Sequence, residues 1–275
     1  MKITLVQSRG LVNDPKVNFF KARMRINNVD SEIFVFPEMF CCGYVSKRQD
    51  MQLQVLDNAI LKDLAKLSDN KGSTIICGCP LAEGDDIYDT ALIIDGFEKH
   101  HYKKMFLYKD NVFDETQVFK SGGTPMIVER QGLKMGMMVG HDLFIGDLVA
   151  YYAENGADII ICISALLPEQ IEGFLKVAQS SAIRFKIPIM ICNMTGNDCG
   201  KELGGKSAYI SEKGEFLETC TAGSDVREIR IDVDALKANT ASRSVPPKIE
   251  FSGSDSVTIK KVDPDPNGPF CPFSG

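Results

Sequence analysis

The sequence predicts a single α/β domain, and three observations carry that prediction. Short apolar runs alternate with longer segments of helical periodicity, the pattern of strands interleaved with covering helices. Two of the runs, Met135 to Val139 and Ile159 to Ile163, are almost continuously apolar, as strands buried on both faces require. No internal repeat and no linker divides residues 1–240, which read as one domain. Residues 241–275 are rich in Ser, Pro and Lys and read as a C-terminal tail, lying on the surface or at a dimer interface.

The elements follow in order. Ile3-Thr4-Leu5-Val6 opens as a strand, and Ile33-Phe34-Val35-Phe36 repeats the pattern until Pro37 stops it. Ile60, Leu61, Leu64 and Leu67 share one helical face. Thr74-Ile75-Ile76-Cys77 is a further buried strand. Ile87 to Asp95 runs to a turn at Gly96, and its return strand passes through His100 to Lys104. Pro168 and Glu169 open a helix with a favourable first turn, and Ile171, Phe174, Leu175, Ala178, Ala182 and Phe185 form its apolar stripe. Ile189 to Cys192 is a strand, and Lys213-Gly214 turns a hairpin between Ala208–Ile210 and Glu215–Leu217. Ile229, Ile231 and Val233 alternate with charged residues in the last strand.

Composition excludes several function classes. The chain is 44% hydrophobic and 25% charged, which is globular rather than disordered. Its net charge of −6 does not suit a protein that wraps a polyanion, so nucleic acid is excluded as a partner. No apolar stretch approaches the length of a membrane span, and the N-terminal run is too short for a signal peptide. The nine cysteines are odd in number, and Cys77, Cys162 and Cys192 lie in apolar runs. That usage fits buried, reduced thiols in a cytoplasmic protein.

Three segments carry candidate chemistry. Phe36-Pro37-Glu38-Met39-Phe40-Cys41-Cys42-Gly43-Tyr44 places a carboxylate just past the end of a buried strand, where α/β sheets build their sites. Tyr102-Lys103-Lys104 puts a lysine at a strand end. Lys134-Met135-Gly136-Met137-Met138-Val139-Gly140-His141-Asp142 is a strand ending in a glycine and a charged pair. In this order the segments resemble the nitrilase superfamily of carbon–nitrogen hydrolases: its Phe-Pro-Glu…Gly-Tyr, Tyr-Arg-Lys and Gly-x-x-(Ile/Val)-Cys-Tyr-Asp motifs. Glu115-Thr116-Gln117-Val118-Phe119 with Gly122, then Asn193, Ser207 and Gly214, are supporting matches.

The resemblance implies an α-β-β-α sandwich, no cofactor, and a homodimer or higher even oligomer. It also implies a small-molecule amide or carboxylate as ligand. In the family a cysteine thiolate attacks an amide or nitrile carbon, a glutamate serves as base and acid, and a lysine meets the oxyanion. Carried over, Glu38 is the base, Lys104 the oxyanion partner and Glu115 the positioning glutamate. His141 and Asn193 fall at substrate-binding positions. The nucleophile position is Gly140, which has no side chain to form a thioester. Cys41, Cys42 and Cys162 lie outside that strand-end turn, and His141 is displaced from it by one residue.

The expectation is therefore a hydrolase homologue whose covalent step is disabled. Two alternatives stay open: a non-catalytic binding or regulatory protein that keeps the pocket, and an enzyme using water activated by Glu38. A metal site is not expected, because His100 and His101 face opposite sides of a strand and no Cys–His spacing suits zinc. Residues 200–207 match the P-loop pattern by letter, but they lack the strand before and the helix after that phosphate binding needs.

Overall fold

Two parallel strand triplets set the architecture. In the first sheet β1 (Lys2–Gln7), β2 (Ile33–Val35) and β3 (Thr74–Glu83) run parallel. In the second, β7 (Leu133–Val139), β8 (Ile159–Ser164) and β9 (Ile189–Asn193) do the same. The computed structural model describes residues 1–12, 14–43, 58–109, 114–198 and 201–246. Antiparallel strands complete both sheets. β4 (Asp86–Asp95), β5 (Glu98–Lys103) and β14 (Asp225–Arg230) extend the first, giving the order β14-β1-β2-β3-β4-β5. β6 (Ile127–Arg130), β12 (Ala208–Ile210) and β13 (Phe216–Thr219) extend the second to β13-β12-β9-β8-β7-β6. β10 (Thr195–Asp198) and β11 (Lys201–Gly204) form a separate ribbon.

The sheets face each other across one core. Ile3, Leu5, Val35, Ile76 and Ile93 of the first meet Met135, Met137, Val139, Ile161, Ile163 and Met190 of the second. Helices α1 (Pro15–Asn28) and α2 (Asn58–Lys71) cover the outer face of the first sheet. Helices α3 (Gly146–Glu154) and α4 (Pro168–Phe185) cover the second. The result is the α-β-β-α sandwich expected, in one domain. Both faces of each central strand are therefore dry, which explains the unbroken apolar runs at β7 and β8.

The structure adds to the periodicity reading at three places. Helix α1 has Asp14 as its cap, accepting from the Val17 amide at 3.1 Å, with Pro15 in its first turn. Its stripe of Phe19, Ala22 and Ile26 is masked in sequence by exposed Val17, Phe20 and Met24 on the other side. The last strand ends at Arg230, not Val233, because Asp232 caps α5 (Val233–Ser242) by accepting from the Ala235 amide. That helix also carries the chain past 240; of the expected tail, residues 247–275 lie outside the described residues. β3 continues beyond Cys77 through Pro80 to Glu83. β2 pairs with it only as far as Ile76, so Pro80 falls where the missing N–H is tolerated. Within the phosphate-loop look-alike, β11 and β12 flank Gly205 to Ser207, so the element directly after it is a strand and not a helix.

The first sheet also shapes the turn after β2. Gly78 of β3 donates to the Pro37 carbonyl at 3.0 Å, and its own carbonyl accepts from the Cys41 amide at 3.1 Å. A Cβ on Gly78 would lie 2.2 Å from the Met39 nitrogen and 2.4 Å from the Glu38 Cα. Only glycine permits this approach. Gly78→Ala is expected to lower stability by about 1–3 kcal/mol, the usual cost of overpacking. Chemical denaturation checks it; a variant as stable as wild type would mean that the turn moves aside freely.

Candidate active site

Glu38 is delivered by the turn that ends β2, at the C-terminal edge of the parallel triplet. Met39 beside it adopts φ +53°, and the turn closes through the Gly43 amide donating to the Met39 carbonyl at 2.8 Å. Lys104 follows β5 and is pinned on both sides: its amide donates to the Asp89 carbonyl at 2.9 Å, and its carbonyl accepts from Gly122 at 2.7 Å. Glu115 opens a short 3₁₀ turn (Glu115–Gln117) capped by Asp114. Gly140 follows β7 and opens the 3₁₀ turn Gly140–Phe144.

These residues converge although they are distant in sequence. The Lys104 Nζ lies 2.7 Å from Glu38 Oε1 and 2.7 Å from Glu115 Oε1. The Tyr108 amide donates to the other Glu115 oxygen at 2.7 Å. A Cβ built on Gly140 would stand 2.9 Å from Glu38 Oε2 and 3.1 Å from Lys104 Nζ. The bond that a side chain at 140 would take therefore points between carboxylate and ammonium. Gly140 has φ +49°, a conformation that L residues seldom adopt.

A fourth ionisable group was not read from the sequence. Asp89, on β4, is fully buried with its carboxylate 3.6 Å from Lys104 Nζ. Among the described residues, carboxylate oxygens of Glu38, Asp89 and Glu115 lie within 4.8 Å of one another. Such a group could ligand a divalent cation, but the Lys104 ammonium already occupies its midst. The electrostatics follow from that packing. Burial alone would neutralise Lys104, yet Glu115, Glu38 and Asp89 hold its pKa well above the usual lysine range. Burial also opposes the charged form of Glu38, but Lys104 and Asp89 outweigh it and hold the carboxyl low. Asp89 goes the other way: burial and the Glu38 charge push it well above the usual carboxylate range.

Asp142 fixes the lysine loop. It is buried; one oxygen accepts from the Met105 and Phe106 amides at 2.9 and 2.7 Å, the other from the Tyr102 hydroxyl at 2.8 Å and the Val139 amide at 3.1 Å. It thus ties the segment around Lys104 to the end of β7. His141 stacks on Tyr108 with centroids 4.1 Å apart and on Phe144 at 5.4 Å, so an aromatic wall stands next to Gly140. Asn193 sits elsewhere in the bonding scheme. Its Oδ1 accepts from Leu166 N and Ser164 Oγ, and its Nδ2 donates to the Gly205 carbonyl at 2.7 Å. In this structure it staples loops at the end of β9. Cys162 lies behind Gly140, its Sγ 3.7 Å from that residue's carbonyl oxygen. Burial, Asp142 and Glu38 keep it protonated. Cys41, Cys77, Cys79, Cys162, Cys192 and Cys220 are free, buried thiols, and Cys42 is buried with them; Tyr44 lies outside the described residues.

The family profile for carbon-nitrogen hydrolases matches residues 2–239. The chain belongs to that family. It is 25% identical over 275 residues to a glutamine-dependent NAD(+) synthetase of Thermotoga maritima, covering 96% of this chain but only 47% of the synthetase. It is 24% identical over 249 residues to an (R)-stereoselective amidase of a Pseudomonas species, covering 86% of this chain and 87% of the amidase. The fold matches the amidase of Nesterenkonia sp. AN1, solved as a cysteine-to-alanine variant with butyramide. There the TM-score is 0.76 at 22% identity, over 86% of this chain and 93% of the amidase. Among the described residues of this family member, no helix is long and apolar enough to cross a membrane.

Removing the ammonium would leave buried carboxylates without a counter-ion. Lys104→Met is expected to cost about 3–5 kcal/mol at neutral pH. The penalty should shrink as pH falls toward 5, because the stranded carboxyls then bind protons that relieve their repulsion. Urea denaturation at the two pH values measures both; a penalty independent of pH would mean that the carboxyls were neutral throughout.

Proposed function

We propose that this chain binds a small amide, or a carboxylate of similar shape, at Glu38, Lys104 and Glu115, and that it cannot form the family's thioester because Gly140 stands at the nucleophile position. The observation that carries this reading is the Gly140 Cβ direction, which runs between the Glu38 carboxylate and the Lys104 ammonium. A thiol placed there would meet a base and a cation together, as a reactive cysteine requires. Glycine keeps the surroundings and omits the nucleophile. Cys162 is a poor substitute: its sulfur is buried, held protonated by burial with Asp142 and Glu38, and donates to the Gly140 carbonyl at 3.7 Å. The amide as ligand class draws support from two proteins that this chain resembles, the stereoselective amidase and the amidase solved with butyramide. A binding or regulatory protein that keeps the pocket is the second reading, favoured by the same glycine.

The assembly proposed with it is a cytoplasmic homodimer or higher even oligomer. Phe20, Met24, Phe144, Tyr151 and Ile183 are exposed on the helical layers and on the turn before α3, which is apolar surface that a second copy would cover. Light scattering should give at least twice the chain mass; a monomer at micromolar concentration would contradict it.

Calorimetry with short aliphatic and aromatic primary amides, glutamine and the matching acids tests the ligand. Binding should be lost in Lys104→Met, with folding checked by circular dichroism. No protein-bound acyl adduct should appear by mass spectrometry during incubation. Gly140→Cys should acquire both an electrophile-reactive thiol and such an adduct, at a cost of about 1–2 kcal/mol for a side chain in the left-handed region. An adduct on the unaltered protein would overturn the reading, and so would a pocket that binds none of these compounds.

A further inference from the structure

The buried cluster holds three carboxyl groups and one ammonium, with side chains no more than 3% exposed. The partners are unevenly shared. Glu115 takes Lys104 on one oxygen and the Tyr108 amide on the other, and Glu38 takes Lys104 at 2.7 Å. Among the described residues neither oxygen of Asp89 accepts a hydrogen bond, and the Lys104 ammonium stands 3.6 Å away. An ionised carboxylate so placed would be desolvated without compensation. A neutral acid needs no donor and has a proton to give, and the Glu38 carboxylate lies in the same cluster. The other groups facing Glu38 are His141, whose positive form would favour the charge, and Cys162, kept neutral by burial. Asp142 is satisfied by its own donors.

We propose that Glu38 and Asp89 form a one-proton carboxyl dyad, and that this dyad lets the thiol-free site hydrolyse a bound amide by direct attack of water. This rests on the amide-binding reading above. Ionised Glu38 takes a proton from water as the water oxygen bonds to the amide carbon. The carbonyl π pair moves onto oxygen, where the Lys104 ammonium meets the charge. The oxygen pair then re-forms the carbonyl, the C–N bond breaks, and Glu38 returns the proton to the departing nitrogen. The products are a carboxylic acid and ammonia or an amine, with no bond made to the protein. Asp89 is a positioning residue: it acts through Glu38, and its proton remains within the pair. Two carboxyls sharing one proton are an established way to run water attack on an amide.

The test uses an amide that calorimetry has shown to bind, with wild type, Asp89→Asn and Glu38→Gln. Wild type should release ammonia slowly, put one ¹⁸O from labelled water into each acid, and form no hydroxamate when hydroxylamine is added. Its kcat should follow a bell in pH, because only the singly protonated dyad works. Asp89→Asn keeps a neutral donor and should bind equally well, but its profile should lose the alkaline limb. Glu38→Gln should abolish turnover. A purely structural Asp89 would leave the bell unchanged, and that result would overturn the proposal.

Stability supplies an independent reading. With its pKa raised in the folded state, Asp89 keeps a proton that the unfolded chain releases above about pH 4. Wild type should therefore lose stability relative to Asp89→Asn by about tenfold in the unfolding constant per pH unit, until the dyad itself titrates. A difference flat with pH would show Asp89 ionised and overturn the dyad. Amide binding without turnover at any pH would overturn the hydrolytic role and leave the ligand reading intact. If no amide binds, the ligand reading fails and the proposal falls with it, whatever the proton linkage gives.

Discussion

A single ammonium, buried among three carboxyl groups, is the constraint around which this molecule is arranged. Lys104 can be charged in the interior only because Glu38 and Glu115 each stand 2.7 Å from its nitrogen, with Asp89 at 3.6 Å. Those carboxylates in turn could not remain buried without it. The demand propagates outward. Glu38 must come off β2 at a defined angle, which needs glycine at 78. The Lys104 loop must be held against β7, which is the work of Asp142 and its four donors. The two-sheet core supplies the rigid frame on which such tolerances are kept, with Glu38 after β2 and Gly140 after β7 brought together at their strand ends.

The cluster also bears on the glycine at 140, whose Cβ direction faces Glu38 and Lys104. The local backbone already holds a left-handed φ at that residue, which glycine accepts without strain. On the proposed reading what is missing there is a nucleophile, not a support. The carboxylate and ammonium that would serve a thiol remain in contact, and the aromatic wall of Tyr108, His141 and Phe144 remains beside them. On the proposed reading, binding and proton transfer are retained while covalent catalysis is not.

The layered fold was legible in the apolar runs because both faces of each central strand are dry, and such strands announce themselves. Glu38, Lys104 and Glu115 were legible through motif resemblance, since each sits beside a recognisable strand end. Asp89 was not. It lies in β4, where Asp86, Asp89 and Asp95 look like ordinary polar positions of a hairpin, and only the arrival of Glu38, Lys104 and Glu115 beside it makes one of them part of a buried cluster. Asp142 reads in sequence as half of a charged pair, because most of its donors come from a segment almost forty residues away. Asn193 was placed with the ligand by resemblance, whereas its bonds run to Ser164, Leu166 and Gly205. Helix α1 escaped because its exposed apolar residues blur the buried stripe. Each of these depends on what an element packs against, which local pattern does not encode.

The most direct test of this account is a crystal structure of the unaltered protein, grown near neutral pH with a small aliphatic primary amide. The account predicts an unattached amide, or the acid released from it, beside Gly140, its carbonyl oxygen within hydrogen-bonding distance of Lys104 Nζ and Glu38 on the side of the attacked carbon. Density joining the ligand to any protein sulfur, or a ligand bound away from Lys104 with the cluster empty, would contradict it.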